Sequence, residues 1–188
     1  MQATKTAETR SLWRFGTREV VYAAIGAALY GVLSFATNFL QLPASGNVAL
    51  RPAISIPLFF GLAFGPIVGF ITGFIGNILS DLLSGGGFWF WWDLGNGLMG
   101  LIMGLTLLSV MDFRSGTGIL RAEIFVIISV AIGMGIAAIS EMWVSGADIN
   151  TVIYANFLPA FITNILNGLV LVPVLMYAYA AVVLRSGR

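Results

Sequence analysis

Six apolar stretches, set apart by charged residues or by Gly and Pro punctuation, account for most of this sequence. Such runs leave few options. In hydrocarbon every backbone N–H and C=O must find a partner within the protein, so each stretch must form a helix or join a closed barrel. The runs lack the strict two-residue alternation of barrel strands and are long enough for helices. They predict helices over about 19–40, 52–65, 67–84, 92–111, 121–144 and 152–184, an all-α membrane fold with six transmembrane helices. Pro52 falls in the first turn of the second helix, where no N–H is needed. Gly65-Pro66 ends it in a tight turn. Pro57, Pro159 and Pro173 lie within spans, where kinks are expected.

Composition agrees. Hydrophobic residues make up 59% of the chain and charged residues 9%, with a mean hydropathy of +0.96, whereas about a quarter of a soluble domain is charged. Residues 1–18 are basic and polar and lack the apolar core of a signal peptide, so they are expected to form a cytoplasmic tail ahead of one membrane domain, 19–188. With that end inside, Lys5, Arg10, Arg14, Arg18, Arg114, Arg121, Arg185 and Arg188 all fall on the cytoplasmic side and only Arg51 falls outside, as the positive-inside rule requires. Both termini are then cytoplasmic. Asp81, Asp93, Glu141 and Asp148 gather at the outer end, an acidic face suited to a neutral or cationic ligand.

The chain has no Cys and no His. Disulfides, thiolate metal sites and the commonest general base are therefore excluded. There is no P-loop, HExxH or GxSxG motif and no paired carboxylates at metal spacing. Binding is expected rather than catalysis, with no cofactor, no metal and no nucleic-acid partner.

Polar residues inside the apolar runs are the candidate binding groups, because they are costly in a membrane unless they have a task. Asn77 and Asp81 are four residues apart and share a helix face. Asp81 equally suits a helix end at the interface. In "GGGFWFWWDLGNG", Asp93 and Asn96 open the fourth helix beneath Trp89, Trp91 and Trp92. These aromatics read either as an interfacial belt or as the wall of a pocket for a flat ring. A first-turn acid is also a routine helix cap, which explains Asp93 better than Asn96. Glu141 and Trp143 end the fifth helix at the same level. In the sixth, Asn156, Thr163 and Asn167 form one stripe; Asn156 lies nearest the outside, and Asn164 and Asn167 suit bonds between helices. The loop around Asn38, Gln41, Asn47 and Arg51 is either a lid or a plain connector.

Small residues carry a second signal. Ala23/Ala27 and Ala24/Ala28 are overlapping small-xxx-small pairs, open to packing inside the bundle or to docking of a partner. Gly61, Gly65, Gly69, Gly73 and Gly76 lay a close-packing groove along the second and third helices.

Six short spans, "AAIGAA" and above all "PLFFGLAFGPIVGFITGFIGNILSDLLSG" resemble the substrate-binding S components of energy-coupling factor (ECF) transporters; residues 50–100 look nearest to the riboflavin-type branch. The resemblance implies a multi-pass prokaryotic membrane protein that captures a vitamin on its outer side. It implies pairing with a coupling membrane subunit and two ATPases. The family's docking face would fall on Ala23, Ala24, Ala27 and Ala28. Its site would be formed by the Trp89–Asn96 segment, Glu141, Trp143, Asn156 and the outer loops. Aromatics and acids favour riboflavin, thiamin or its pyrimidine precursor, and pyridoxine over the carboxylate-bearing biotin, folate and pantothenate. Two alternatives remain, a small lipid-modifying enzyme using Asp81, Asp93 or Glu141, and a ligand-free scaffold.

Overall fold

The computed structural model describes residues 12–13, 15–40, 50–109 and 112–185. Gln41 and Asn47 lie outside these, as do Lys5, Arg10, Arg14 and Arg188. Among the described residues all regular structure is helical. The helices are α1 (Thr17–Thr37), α2 (Ser55–Phe64), α3 (Pro66–Leu83), α4 (Phe90–Gly104), α5 (Gly116–Val144) and α6 (Leu158–Arg185). A 3₁₀ turn, Pro52–Ile54, leads into α2; another, Leu105–Leu108, continues α4; a π-helical turn, Thr151–Phe157, precedes α6.

Four segments are long and apolar enough to cross a bilayer: Thr17–Thr37, Pro66–Leu83, Gly116–Val144 and Thr151–Val183. The chain is an α-helical membrane protein. Its second and fourth helices are shorter. At 1.5 Å per residue, and 2.0 Å in the 3₁₀ turn, α4 and its extension reach about 30 Å, the thickness of the hydrocarbon core.

Several ends differ from the sequence expectation, for local reasons. The first helix begins at Thr17 rather than Glu19, because the Glu19 carboxylate accepts the Gly16 N–H at 3.0 Å and fixes the entry. It ends at Thr37 rather than residue 40. The fifth begins at Gly116, not Arg121: the Ser115 hydroxyl oxygen caps it by accepting from Gly118 N at 3.0 Å. The fourth begins at Phe90 and tightens to 3₁₀ after Gly104, short of residue 111.

The prolines also sort by position. Pro57 is the third residue of α2, so no ladder bond is lost and the kink expected there has no cause. Pro159 lies two residues past the end of the π turn; having no N–H, it cannot bond back to Ala155, and the ladder ahead of it widens. Pro173 lies within the continuous α6. Gly65, between α2 and α3, has φ +112°, which only glycine adopts without strain.

Glycines set how closely the middle helices approach. A Cβ on Gly61 or Gly69 would overlap the Gly100 carbonyl, one on Gly100 would overlap the Gly69 carbonyl, and one on Gly73 would overlap the Asn96 carbonyl. Backbone therefore lies on backbone where α2, α3 and α4 meet, as the glycine pattern predicts. Around this contact, Leu58, Leu62, Met99, Met103, Val126, Val130, Val172 and Met176 are fully buried. The outward faces are apolar too, with Ile25, Leu29, Val32, Ile128, Ile132, Val170 and Val174 exposed, as a surface solvated by lipid allows.

The alanine pairs separate. Ala23 and Ala27 are buried against the chain's own bundle on the same face as Gly26, Tyr30 and Ser34, whereas Ala24 and Ala28 are exposed. The expectation of one four-alanine docking face is corrected on this point: Ala23 and Ala27 seat α1 against this bundle, because the helix turns 100° per residue and presents the two pairs to different neighbours.

Candidate ligand-binding site

The glycine contact places the polar residues of α3 beside those of α4. Asn77 is 1% exposed, Asp93 0% and Asn96 3%. Asn77 uses both ends of its amide. Its Nδ2 donates to Asp93 Oδ1 at 2.8 Å and to Asp81 Oδ2 at 3.1 Å. Its Oδ1 accepts from Arg51 at 3.0 Å and from the Tyr30 hydroxyl at 3.2 Å. The Tyr30 hydroxyl also donates to Asn96 Oδ1, at 2.8 Å, so its single proton is shared with the shorter contact favoured. Asn96 Nδ2 turns back to the Trp92 carbonyl at 2.8 Å. Four segments thus converge on one buried network: α1 through Tyr30, the turn before α2 through Arg51, α3 and α4.

Tyr30 was not among the candidates read from sequence. Its signal was present, since Ala23, Ala27 and Tyr30 follow one helical stripe, and a tyrosine buried on such a stripe needs a partner for its hydroxyl.

One oxygen is left open. Among the described residues, three buried side-chain atoms have no hydrogen-bond partner: Ser34 Oγ, Thr72 Oγ1 and Asp93 Oδ2. Only the last belongs to a carboxylate. A carboxylate oxygen is costlier to bury without a partner than a hydroxyl, and within the network Asp93 Oδ2 is such an atom. As a first-turn acid it also lies where the α4 dipole favours negative charge.

The aromatic run divides. Trp92 is half-buried and its indole donates to Glu141 Oε1 at 2.7 Å, linking α4 to the outer end of α5. Trp91 is half-buried and meets the exposed Trp143 edge-on, with centroids 5.5 Å apart. Phe88, Trp89 and Phe90 are exposed, and the Trp89 indole donates to the Gly86 carbonyl at 2.8 Å. The segment therefore holds both exposed rings, Phe88, Trp89 and Phe90, and half-buried ones, Trp91 and Trp92.

Other candidates stand apart from this network. Asn38 caps α1 with its backbone and sends no hydrogen bond into the cluster. Asn156 is half-buried within the π turn, which breaks the 3.6-residue register joining it to Thr163 and Asn167. The expectation that Asn167 bonds between helices is corrected: its amide donates to Thr163 O of its own helix at 2.9 Å. At the α5–α6 connection, exposed Asp148 accepts from the Thr151 hydroxyl at 2.7 Å and from two backbone amides, which hold its carboxyl below the usual range.

No group of three or more acidic residues among the described ones is arranged to hold a metal ion. Chemically the arrangement offers a buried polar network with an unpartnered carboxylate oxygen, next in sequence to two half-buried indoles.

Comparison with known proteins agrees with this architecture. Residues 14–181 match the family described as the ECF-type riboflavin transporter, S component. A UPF0397 protein of Vibrio atlanticus is 36% identical over 148 residues, covering 76% of this chain and 75% of that protein. One from Streptococcus sanguinis is 35% identical over 176 residues, covering 90% of this chain and 94% of that protein. A third, from Photobacterium profundum, is 45% identical over 87 residues, 46% of either chain. The chain belongs to the ECF-type riboflavin transporter S-component family and is a vitamin-transporter S subunit of a prokaryotic membrane.

Proposed function

We propose that this subunit captures a flat, neutral or cationic vitamin on the outer side of the membrane, with riboflavin, thiamin or its pyrimidine precursor, and pyridoxine as candidates. Transport then follows docking on a coupling subunit driven by two ATPases. The observation that carries the reading is Asp93: fully buried, held by Asn77 through one oxygen, and open at the other. A ligand donor at Oδ2 would complete its hydrogen bonds. Trp91 and Trp92, half-buried and just ahead of it in the chain, would supply flat apolar surface. Arg51 and Asp81 set the local charge, and Glu141 holds the Trp92 ring. Trp89, Trp143, Asn38 and Asn156 would serve at the rim. Of the alanines, exposed Ala24 and Ala28 remain for a partner.

Charge supports the outer location. Arg18, Arg114 and Arg121 lie at the end of the bundle opposite the network, and Arg51 lies within it, a distribution that by the positive-inside rule supports an outer position for the network.

A thermal-shift screen of the detergent-purified chain against a vitamin panel tests the reading, with tryptophan emission followed alongside. A ligand bound by the folded state alone stabilises it by about 4 kcal/mol at a thousandfold excess over Kd. A shift with one of the named vitamins, with quenched emission, is expected without ATP or partner subunits. A folded protein that no vitamin stabilises would refute the proposal.

A further inference from the structure

The buried network holds two carboxylates, Asp81 and Asp93, and one cation, Arg51. Arg51 is also the only Lys or Arg between Arg18 and Arg114, so nothing else in that length of chain can balance the second acid. Arg51 places a hydrogen bond on the neutral Asn77 carbonyl. Asn77 then passes two N–H bonds to the acids, one each. Asp81 is half-buried at the end of this chain of bonds, whereas Asp93 is sealed from solvent with Oδ2 unpartnered. Glu141 is not bonded to these groups; its Oε1 accepts the Trp92 indole N–H at 2.7 Å. An ionised Asp93 would leave Oδ2 with neither a donor nor a cation against it, so the network has a place for one positive charge there.

We propose that the ligand supplies this charge: the site selects a flat heterocycle bearing a single positive charge, seated with that charge against Asp93 Oδ2 and its ring against Trp91 and Trp92. The inference rests on the vitamin-capture reading above and narrows it from neutral or cationic ligands to monocations. A buried carboxylate interacts far more strongly with a fixed cation than with a neutral donor, because little water screens the pair. Arg51, on the turn leading into α2, limits the preference to one charge, since a dication would overfill the site.

The test uses the full chain in detergent and two chemical contrasts. Thiamin carries a permanent thiazolium charge and riboflavin is uncharged; pyridoxamine and pyridoxine differ by an ammonium group in place of a hydroxyl. Dissociation constants are read from tryptophan quenching. The cation of at least one pair is expected to bind tenfold or more tightly than its neutral counterpart. Asp93→Asn, nearly isosteric, should weaken the cation by about 30-fold or more, as removal of one member of a buried charge pair does, and should narrow the gap to the neutral compound. Arg51→Gln removes a competing charge and should tighten the cation; it also decides the matter if Asp93→Asn does not fold. Tighter binding of riboflavin or pyridoxine than of the cations, unchanged by Asp93→Asn, overturns the inference and leaves vitamin capture standing. Weaker cation binding in Arg51→Gln overturns it too. A folded protein that binds none of the four, nor any other vitamin, overturns both.

Discussion

Asn77 on α3 donates its side-chain amide to Asp93 Oδ1 on α4 at 2.8 Å, and one turn further in the two helices touch backbone to backbone. The second fact makes the first possible. Asn and Asp are short side chains, and they meet directly across two helices only where no Cβ holds those helices apart. The glycine groove is thus the positioning device of the polar network.

Substitution in the groove should therefore disturb the site from a distance. In Gly69→Ala, Gly73→Ala or Gly100→Ala the new methyl meets rigid backbone, not a side chain that can swing away. Overpacking of this kind costs about 1–3 kcal/mol. A lowered melting temperature in detergent, together with loss of vitamin binding, is expected. Gly135→Ala is the control, because a Cβ there would come no closer than 3.9 Å to Phe157; it should melt like the wild type.

Removing Asn77 should cost more than removing the Tyr30 hydroxyl. Asn77→Leu strips hydrogen bonds from Asp81, Asp93, Arg51 and Tyr30 at once. Each buried polar group left unsatisfied costs about 1–3 kcal/mol, and charged groups more. Tyr30→Phe removes one hydroxyl, at about 1 kcal/mol, and Asn77 Oδ1 keeps Arg51. Thermal unfolding in one detergent should rank wild type above Tyr30→Phe above Asn77→Leu. An Asn77→Leu protein as stable as wild type would show that the network does not hold α3 to α4.

On α1 the two alanine pairs should give opposite phenotypes. Ala28→Trp and Ala24→Trp add bulk on an exposed face. They should leave folding and vitamin binding intact while abolishing co-purification with the coupling subunit and cellular uptake. Ala27→Trp forces an indole into the packed face beside Gly76 and should prevent folding. Uptake surviving in both surface variants would remove α1 as the docking face.

The tryptophans should separate by emission. Trp92→Phe removes the half-buried indole bonded to Glu141 and is expected to abolish much of the ligand-induced quenching and weaken binding several-fold, in keeping with about 0.5–1.5 kcal/mol for the lost hydrogen bond. Glu141→Gln retains an acceptor oxygen for the indole and should bind better than Glu141→Ala. Trp89→Phe and Trp143→Phe alter exposed rings and should leave affinity within about twofold of wild type, as surface substitutions commonly do. Equal quenching in Trp92→Phe would move the ligand away from this ring.

Much of the architecture is legible in the sequence because it depends on neighbours along the chain. Backbone satisfaction in lipid forces the apolar runs into helices, Gly65-Pro66 supplies the turn between α2 and α3, and glycines at three- and four-residue spacing announce close packing. The pairing of Asn77 with Asp81 is likewise a property of one helix. What the tertiary structure alone decided is azimuth, the direction each side chain takes once helices are rotated against one another. It turned Trp92 toward Glu141 and left Trp89 outside, set Ala27 inward and Ala28 outward, and brought Tyr30 and Arg51 to Asn77 from segments 47 and 26 residues away in the chain. It also directed Asn167 to its own helix and left Asn38 outside the network. Hydrophobic periodicity cannot settle these choices in a chain that is apolar on both its lipid-facing and core-facing sides. Rotation is fixed by where backbone can meet backbone, and that depends on glycines of two or three helices acting together.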